Sequence, residues 1–213
     1  MKITKLGHCC MLVEEKGLRV LTDPGAYSTA QNEIKNIDIV LITHEHQDHL
    51  HIDSLKTVLH HNPKARIITN KSVGKILTEQ NIEHEIVGHG EHILIEDLNI
   101  EGYGEKHAEI YSTVTNVENT SYFIGSRLFY PGDAFYNPKK KVEIPALPVA
   151  GPWMKISEAI DYAKEIKPEI AFPVHDGMFL PGRGNVAHRV PSNVLPSFGI
   201  KFVILEESKE TEL

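Results

Sequence analysis

The chain has 213 residues, 41% of them hydrophobic and 24% charged, enough apolar material for one substantial core and a single domain over 1–213. Twenty-two Lys and Arg stand against 29 Asp and Glu, a net charge of −7 with histidines neutral, which offers nucleic acid no general attraction. No run approaches the roughly eighteen apolar residues of a membrane span. The start, Met1-Lys2-Ile3-Thr4-Lys5, enters strand pattern without a signal-peptide core. Cys9 and Cys10 are adjacent, so a strand points them to opposite faces and no disulfide between them is expected. A reducing, cytoplasmic setting is the expectation.

Alternating apolar residues predict strands over 2–6, 10–15 and 18–22, then another in Ile39-Val40-Leu41-Ile42-Thr43. Helical spacing follows over 53–61 and 71–80, bracketing a strand at Arg66-Ile67-Ile68-Thr69. Further strands are expected near 84–87, 92–95, 98–103, 121–125 and 127–130. The clearest later helix runs from Met154 to Ile166, with Ile156, Ala159, Ile160, Ala163 and Ile166 on one face and Ser157 as its cap. Strands at 169–174 and 201–205 close the pattern, and 206–213 reads as a flexible acidic tail. No internal repeat or low-complexity linker is visible.

The fourth strand runs straight into His44-Glu45-His46-Gln47-Asp48-His49. Three imidazoles and a carboxylate crowded at one strand end would each need a separate hydrogen-bonding partner if buried. A divalent cation satisfies them together. Imidazole suits zinc, and a mixed imidazole and carboxylate set also suits manganese or iron. His44 and His46 lie two apart, so extended backbone points them the same way and they can grip one ion. Asp48 and His49 follow after the chain turns, where they can face a second.

HxHxDH after an apolar strand resembles the signature of the metallo-β-lactamase superfamily of binuclear metal hydrolases. Other motifs of that family have counterparts in order: Thr22-Asp23-Pro24-Gly25 after the third strand, His107 in Gly104-Glu105-Lys106-His107, Asp133 in Tyr130-Pro131-Gly132-Asp133, and His175 in Phe172-Pro173-Val174-His175. The resemblance implies an α/β fold, the αββα sandwich of two mixed sheets flanked by helices. It implies that His44, His46 and His107 hold a first metal, that Asp48, His49 and His175 hold a second, and that Asp133 bridges them. A shared carboxylate lets two cations sit roughly 3.5 to 4 Å apart and makes hydroxide available near neutral pH. Asp48 and Asp133 are therefore the expected catalytic carboxylates, with two divalent ions as cofactors, zinc first and manganese or iron as alternatives.

Other readings of these residues stand beside that one. His107 follows a glycine bend, where a plain loop residue is the lesser reading, and Asp133 after Pro131-Gly132 has a turn former as its other reading, though its place at the end of a strand favours metal. Asp176 competes with His175 for the ligand role and is expected instead as its hydrogen-bonding partner. His60 and His61 suit a helix C-terminus, while His84, His89 and His92 flank short strands and His51 stands at the mouth. His8, beside the cysteines, is expected as a supporting or core residue. His188 follows the glycine-rich Pro181-Gly182-Arg183-Gly184-Asn185, so Arg183 and His188 are candidate contacts for an anionic substrate. Trp153 in Gly151-Pro152-Trp153 is a candidate pocket wall, with core packing or a subunit contact as the other readings.

The stretch Ala146 to Met154, followed by an Ala-containing helix and Pro173-Val174-His175, is similar to the superfamily branch of ascorbate-phosphate lactonase type. The implied activity is hydrolysis of a small ester or lactone, phosphorylated or not, by a hydroxide held between the ions. Phosphodiester hydrolysis of a cyclic nucleotide, phospholipid or RNA is the alternative, and the acidic composition weighs against RNA. A non-hydrolytic metal-binding protein is the third reading, and weak β-lactamase activity is expected only as a side reaction. Assembly into a homo-oligomer follows from the habit of that branch.

Overall fold

The computed structural model describes residues 1–179 and 185–213. Its first sheet is formed by β1 (Lys2–Gly7), β2 (Cys10–Glu15), β3 (Leu18–Thr22), β4 (Ile39–Leu41), β5 (Arg66–Thr69) and β6 (Glu85–Ile86). The second is formed by β7 (His92–Ile95), β8 (Leu98–Tyr103), β9 (Ser121–Ile124), β10 (Leu128–Tyr130), β11 (Ile144–Pro148), β12 (Ile170–Val174) and β13 (Lys201–Phe202). A last strand, β14 (Glu210–Glu212), returns to the first sheet beside β1, giving the orders β14-β1-β2-β3-β4-β5-β6 and β13-β12-β11-β10-β9-β8-β7.

Strand alternation builds the layers. Ile3, Met11, Val13, Val20, Ile39, Leu41 and Ile68 of the first sheet meet Ile100, Tyr122, Leu128, Tyr130, Phe172 and Val174 of the second in one buried cluster. The intervening Leu12, Leu21, Val40 and Ile67 face outward and pack on α1 (Ile52–His61) and α2 (Lys71–Glu79) through Leu55, Val58, Val73 and Leu77. Leu147 and Ala171 likewise meet α3 (Ile156–Ile166) and α4 (Asn185–Val194) through Ala159, Ile160, Ala163 and Ala187. Apolar residues on both sides of these strands therefore place them between layers. The result is the αββα sandwich.

Each sheet joins three antiparallel pairings to three parallel ones, so the two halves of the chain share one wiring. β1 and β3 run with β4, and β8 runs with β10 and β12. The C-terminal ends of all six strands consequently open onto one edge of the sandwich. That edge receives His8, Asp23, the His44–His49 hexapeptide, His107, Asp133 and His175 from separate loops. Loops on a rigid scaffold are the usual carriers of function.

Four expectations change. The acidic tail is not free: Ile3 pairs with Thr211 and Lys2 with Glu212, so backbone pairing with β1 orders it, with Lys2 Nζ 2.9 Å from Glu210 at its edge. β11 was hidden by Pro145 and Pro148, which ordinarily argue against a central strand. α4 occupies sequence that reads as loop because of its glycine-rich approach and Pro191. Ser157 does not cap α3; the Lys155 amide at the cap donates to Glu158 Oε2 at 2.6 Å, the acidic arm of a capping box.

Candidate metal centre

Three imidazoles are turned the same way by their outer nitrogens. The Thr43 hydroxyl donates to Asp23 Oδ2 at 2.6 Å, so its lone pair is left to accept His44 Nδ1–H at 3.0 Å. His49 Nδ1–H donates to Asp23 Oδ2 at 2.6 Å, and His107 Nδ1–H to the Ala108 carbonyl at 2.5 Å. Each ring thus directs its Nδ1 proton outward and turns Nε2 toward the centre.

Those nitrogens surround Asp133. His49 Nε2 lies 3.1 Å from Oδ1, while His175, His107 and His44 Nε2 lie 2.9, 3.3 and 4.0 Å from Oδ2. Asp48 Oδ2 is 3.4 Å from His175 Nε2 and 3.7 Å from His49 Nε2. The ligand atoms of His44, His46 and His107 come within 4.8 Å of one another as a separate group. All seven residues expected to bind metal are therefore brought together.

The decisive test of fit is what these atoms lack. Nε2 of His44, His49 and His107, both ring nitrogens of His175, and Asp133 Oδ1 are buried without a hydrogen-bond partner among the described residues. The short approaches to Asp133 do not have hydrogen-bonding alignment at every atom. Leaving so many buried polar atoms unpaired is strongly unfavourable, and divalent cations would satisfy them at once. The donor set, five imidazoles and two carboxylates, fits zinc and also manganese or iron.

Backbone geometry holds the carboxylates in place. Asp133 N–H donates to Asn119 Oδ1 at 3.0 Å, and Asn119 in turn donates to the Pro131 carbonyl. Gly132 has φ +62°, and a Cβ there would sit 2.4 Å from Asn119 Oδ1. Gly25 allows the β3–β4 loop to touch the hexapeptide, since a Cβ would lie 1.8 Å from the Asp48 carbonyl oxygen. Burial would raise the Asp133 carboxyl, but His49, His107 and His175 outweigh it and hold it well below the usual carboxylate range.

Several residues take roles other than those expected. Trp153 is buried, and its indole N–H donates to Asp133 Oδ2 at 2.7 Å, so it steadies the central carboxylate rather than lining an open wall. His188 Nε2–H donates to Asp176 at 2.7 Å instead of facing the centre. Asp176 turns away from the His175 ring toward Lys5 and His188. Arg183 lies outside the described residues. His51 accepts the Ser54 amide at the start of α1, and His8, as expected of a supporting residue, lies 3.1 Å from Asp48 Oδ2.

Asp23 is the functional residue that motif reading left unassigned. It is fully buried and accepts from Thr43 N and Oγ1, His49 Nδ1 and Tyr130 OH, which fixes the direction of both His49 and His44. Its signal was an acidic residue ending a strand parallel to the one that delivers the hexapeptide. Asp23→Asn is expected to weaken zinc affinity about 10- to 100-fold; chelator competition giving the wild-type constant would show that the tautomers are set elsewhere.

A family model described as the beta-lactamase superfamily domain matches residues 2–175, from β1 to the last of the clustered histidines. The chain belongs to the metallo-β-lactamase superfamily. Protein Rv0786c of Mycobacterium tuberculosis is 35% identical to the chain over 217 residues, covering 99% of this chain and 100% of its own. A UPF0173 metal-dependent hydrolase of Carboxydothermus hydrogenoformans is 28% identical and covers 82% of this chain and 84% of its own. Among solved structures, the metallo hydrolase Igni18 of Ignicoccus hospitalis shares the superfamily fold with a TM-score of 0.78 at 22% identity, over 100% of this chain and 98% of that one.

Proposed function

We propose that the chain, a metal-dependent hydrolase, cleaves a small carboxylic ester or lactone with two divalent ions in the centre. The observation that carries this reading is the set of unpartnered buried Nε2 atoms around Asp133. Bound cations would supply an activated water and polarise the oxygen of the scissile group. His44, His46 and His107 would hold one ion, Asp48, His49 and His175 the other, and Asp133 both.

The chain's own residues set the conditions for that chemistry. Asp23 keeps His49 and, through Thr43, His44 with Nε2 turned inward, while Trp153 fixes the plane of Asp133. Cys9 is buried and its thiol is pushed far up by burial and by Asp133, which removes it as a nucleophile. An acyl substrate is favoured by the loops around the centre: Tyr27 is exposed on the loop that carries Asp23, and Ile110, Tyr111, Val114 and Met178 on the loops that carry His107 and His175. Exposed apolar side chains on these loops suit an uncharged or singly charged acyl group better than a polyanion.

Among the described residues no helix is long and apolar enough to cross a membrane. The two cysteines are free and buried, which suits a reducing compartment. The test is a screen of zinc- and manganese-loaded protein against simple lactones, p-nitrophenyl esters, bis-p-nitrophenyl phosphate and a cephalosporin. Turnover of lactones or esters above the phosphodiester supports the reading. Preference for bis-p-nitrophenyl phosphate would replace it with a phosphodiesterase.

A further inference from the structure

Of the four buried imidazoles around Asp133, three are oriented by a partner on Nδ1, whereas neither nitrogen of His175 has a hydrogen-bond partner among the described residues. The His175 ring is placed by packing against His8 and Trp153, with ring centroids 4.2 and 5.9 Å away, and by its backbone, which is unusual. His175 has φ +61°, a left-handed conformation that a residue with a Cβ rarely adopts unless its surroundings enforce it.

One ammonium group grips both flanks of this residue. Lys5 is buried at 3% exposure, and its Nζ donates to the Pro173 carbonyl at 3.1 Å and to Asp176 Oδ1 and Oδ2 at 2.5 and 2.6 Å. Pro173 lies two residues before His175, and Asp176 immediately after it. His188 holds the far side of the same carboxylate. The adjoining turn of the first sheet completes the seat: His175 N–H donates to the His8 carbonyl at 3.3 Å, and Gly177 N–H to His8 Nδ1 at 3.1 Å. His8 itself has φ +49°. The end of β1 and the end of β12 are locked face to face around the one buried imidazole of the four whose ring has no hydrogen bond among the described residues.

We propose that Lys5 is a positioning residue for His175 and sets how tightly the second ion is held, while the first position is independent of it. The proposal rests on the two-ion reading above. A charge-assisted, three-point contact from a buried ammonium is strong and directional, and it fixes the turn from both sides; a neutral side chain of the same length fills the space without holding either oxygen.

The experiment is zinc titration against a chromophoric chelator, with metal content by elemental analysis, on wild type, Lys5→Met, and the double variant Lys5→Met with Asp176→Asn. The double variant removes the stranded carboxylate and guards against simple misfolding, and circular dichroism of the metal-free proteins checks the fold. Wild type is expected to hold two zinc ions per chain. Both variants should keep one ion within a few-fold of wild type and bind the other about 10- to 100-fold more weakly, with Lys5→Arg restoring part of the loss. Two ions at wild-type affinity in folded variants, or equal weakening of both, would overturn the role of Lys5. A single ion in wild type itself would overturn the two-ion reading and this proposal with it.

Discussion

Replacing Asp133 by Ala is expected to lower turnover by on the order of 10³-fold or more, about 4 kcal/mol of transition-state stabilisation at 1.36 kcal/mol per decade. No other group in the centre faces so many ligands: four Nε2 atoms lie within 4.0 Å of its carboxylate oxygens. Without it, two cations would face each other with no shared negative charge between them, and their repulsion in a buried site is large. Retention of at least one ion through dialysis should fall as well. Asp133→Asn keeps the size of the side chain but offers one neutral oxygen, so it should lose nearly as much. Unchanged turnover in a folded Asp133→Ala protein would eliminate the bridging role.

The metal-free protein should lose stability as the pH rises from 6.5 to 9. Burial works against charge on His175, but Asp133 and Asp48 outweigh it and raise the imidazole to about 9. A group whose folded pKa lies above its unfolded value of about 6.5 contributes its full stabilisation below 6.5 and loses it as the pH climbs through the folded value. The difference corresponds to about 3 kcal/mol. His49 is shifted in the same direction, so its contribution is also lost as pH increases. Asp48 and Asp133 behave oppositely: both are held below the usual range, so their contribution is present above about 4 and disappears in acid.

Metal binding should show the reverse trend over the same interval, because the ion held by His49 and His175 must displace their protons. Urea unfolding in the presence of chelator, from pH 5 to 9, measures the first effect, and zinc affinity across that range measures the second. A metal-free midpoint that stays level or increases above pH 6.5 would mean that the imidazoles are not charged by Asp133 and Asp48.

The ligand set was legible because its members are chemically costly to bury without a cation and because each follows an apolar strand. The hexapeptide, His107, Asp133 and His175 all stand at strand ends that topology brings to one edge. What supports them was not legible. Asp23 and Lys5 lie in short β1 and β3 regions, and their partners are 20 to 171 residues away, a separation that local pattern does not encode. Trp153 advertised an aromatic surface, yet its N–H serves the carboxylate. Asp176 was read by adjacency to His175, but a left-handed residue between neighbours sends their side chains to different places.

The fold shows the same division. Strands with alternating residues and helices with a clear apolar face were readable from spacing, whereas β11 and α4 carry prolines that speak against them locally and are held by their neighbours. β14 is set by what it pairs with, not by its own composition.

The shared wiring of the two sheets also divides the ligands. His44, His46, Asp48 and His49 precede β7, whereas His107, Asp133 and His175 follow it, and each of the two proposed ion positions would draw on both groups. A chain severed at the exposed His89-Gly90 turn between β6 and β7 would give two fragments, neither of which owns a complete coordination sphere. Zinc would then act as the glue of a heterodimer, and recovery of the whole from its pieces would depend on the concentrations of fragments and ion alike.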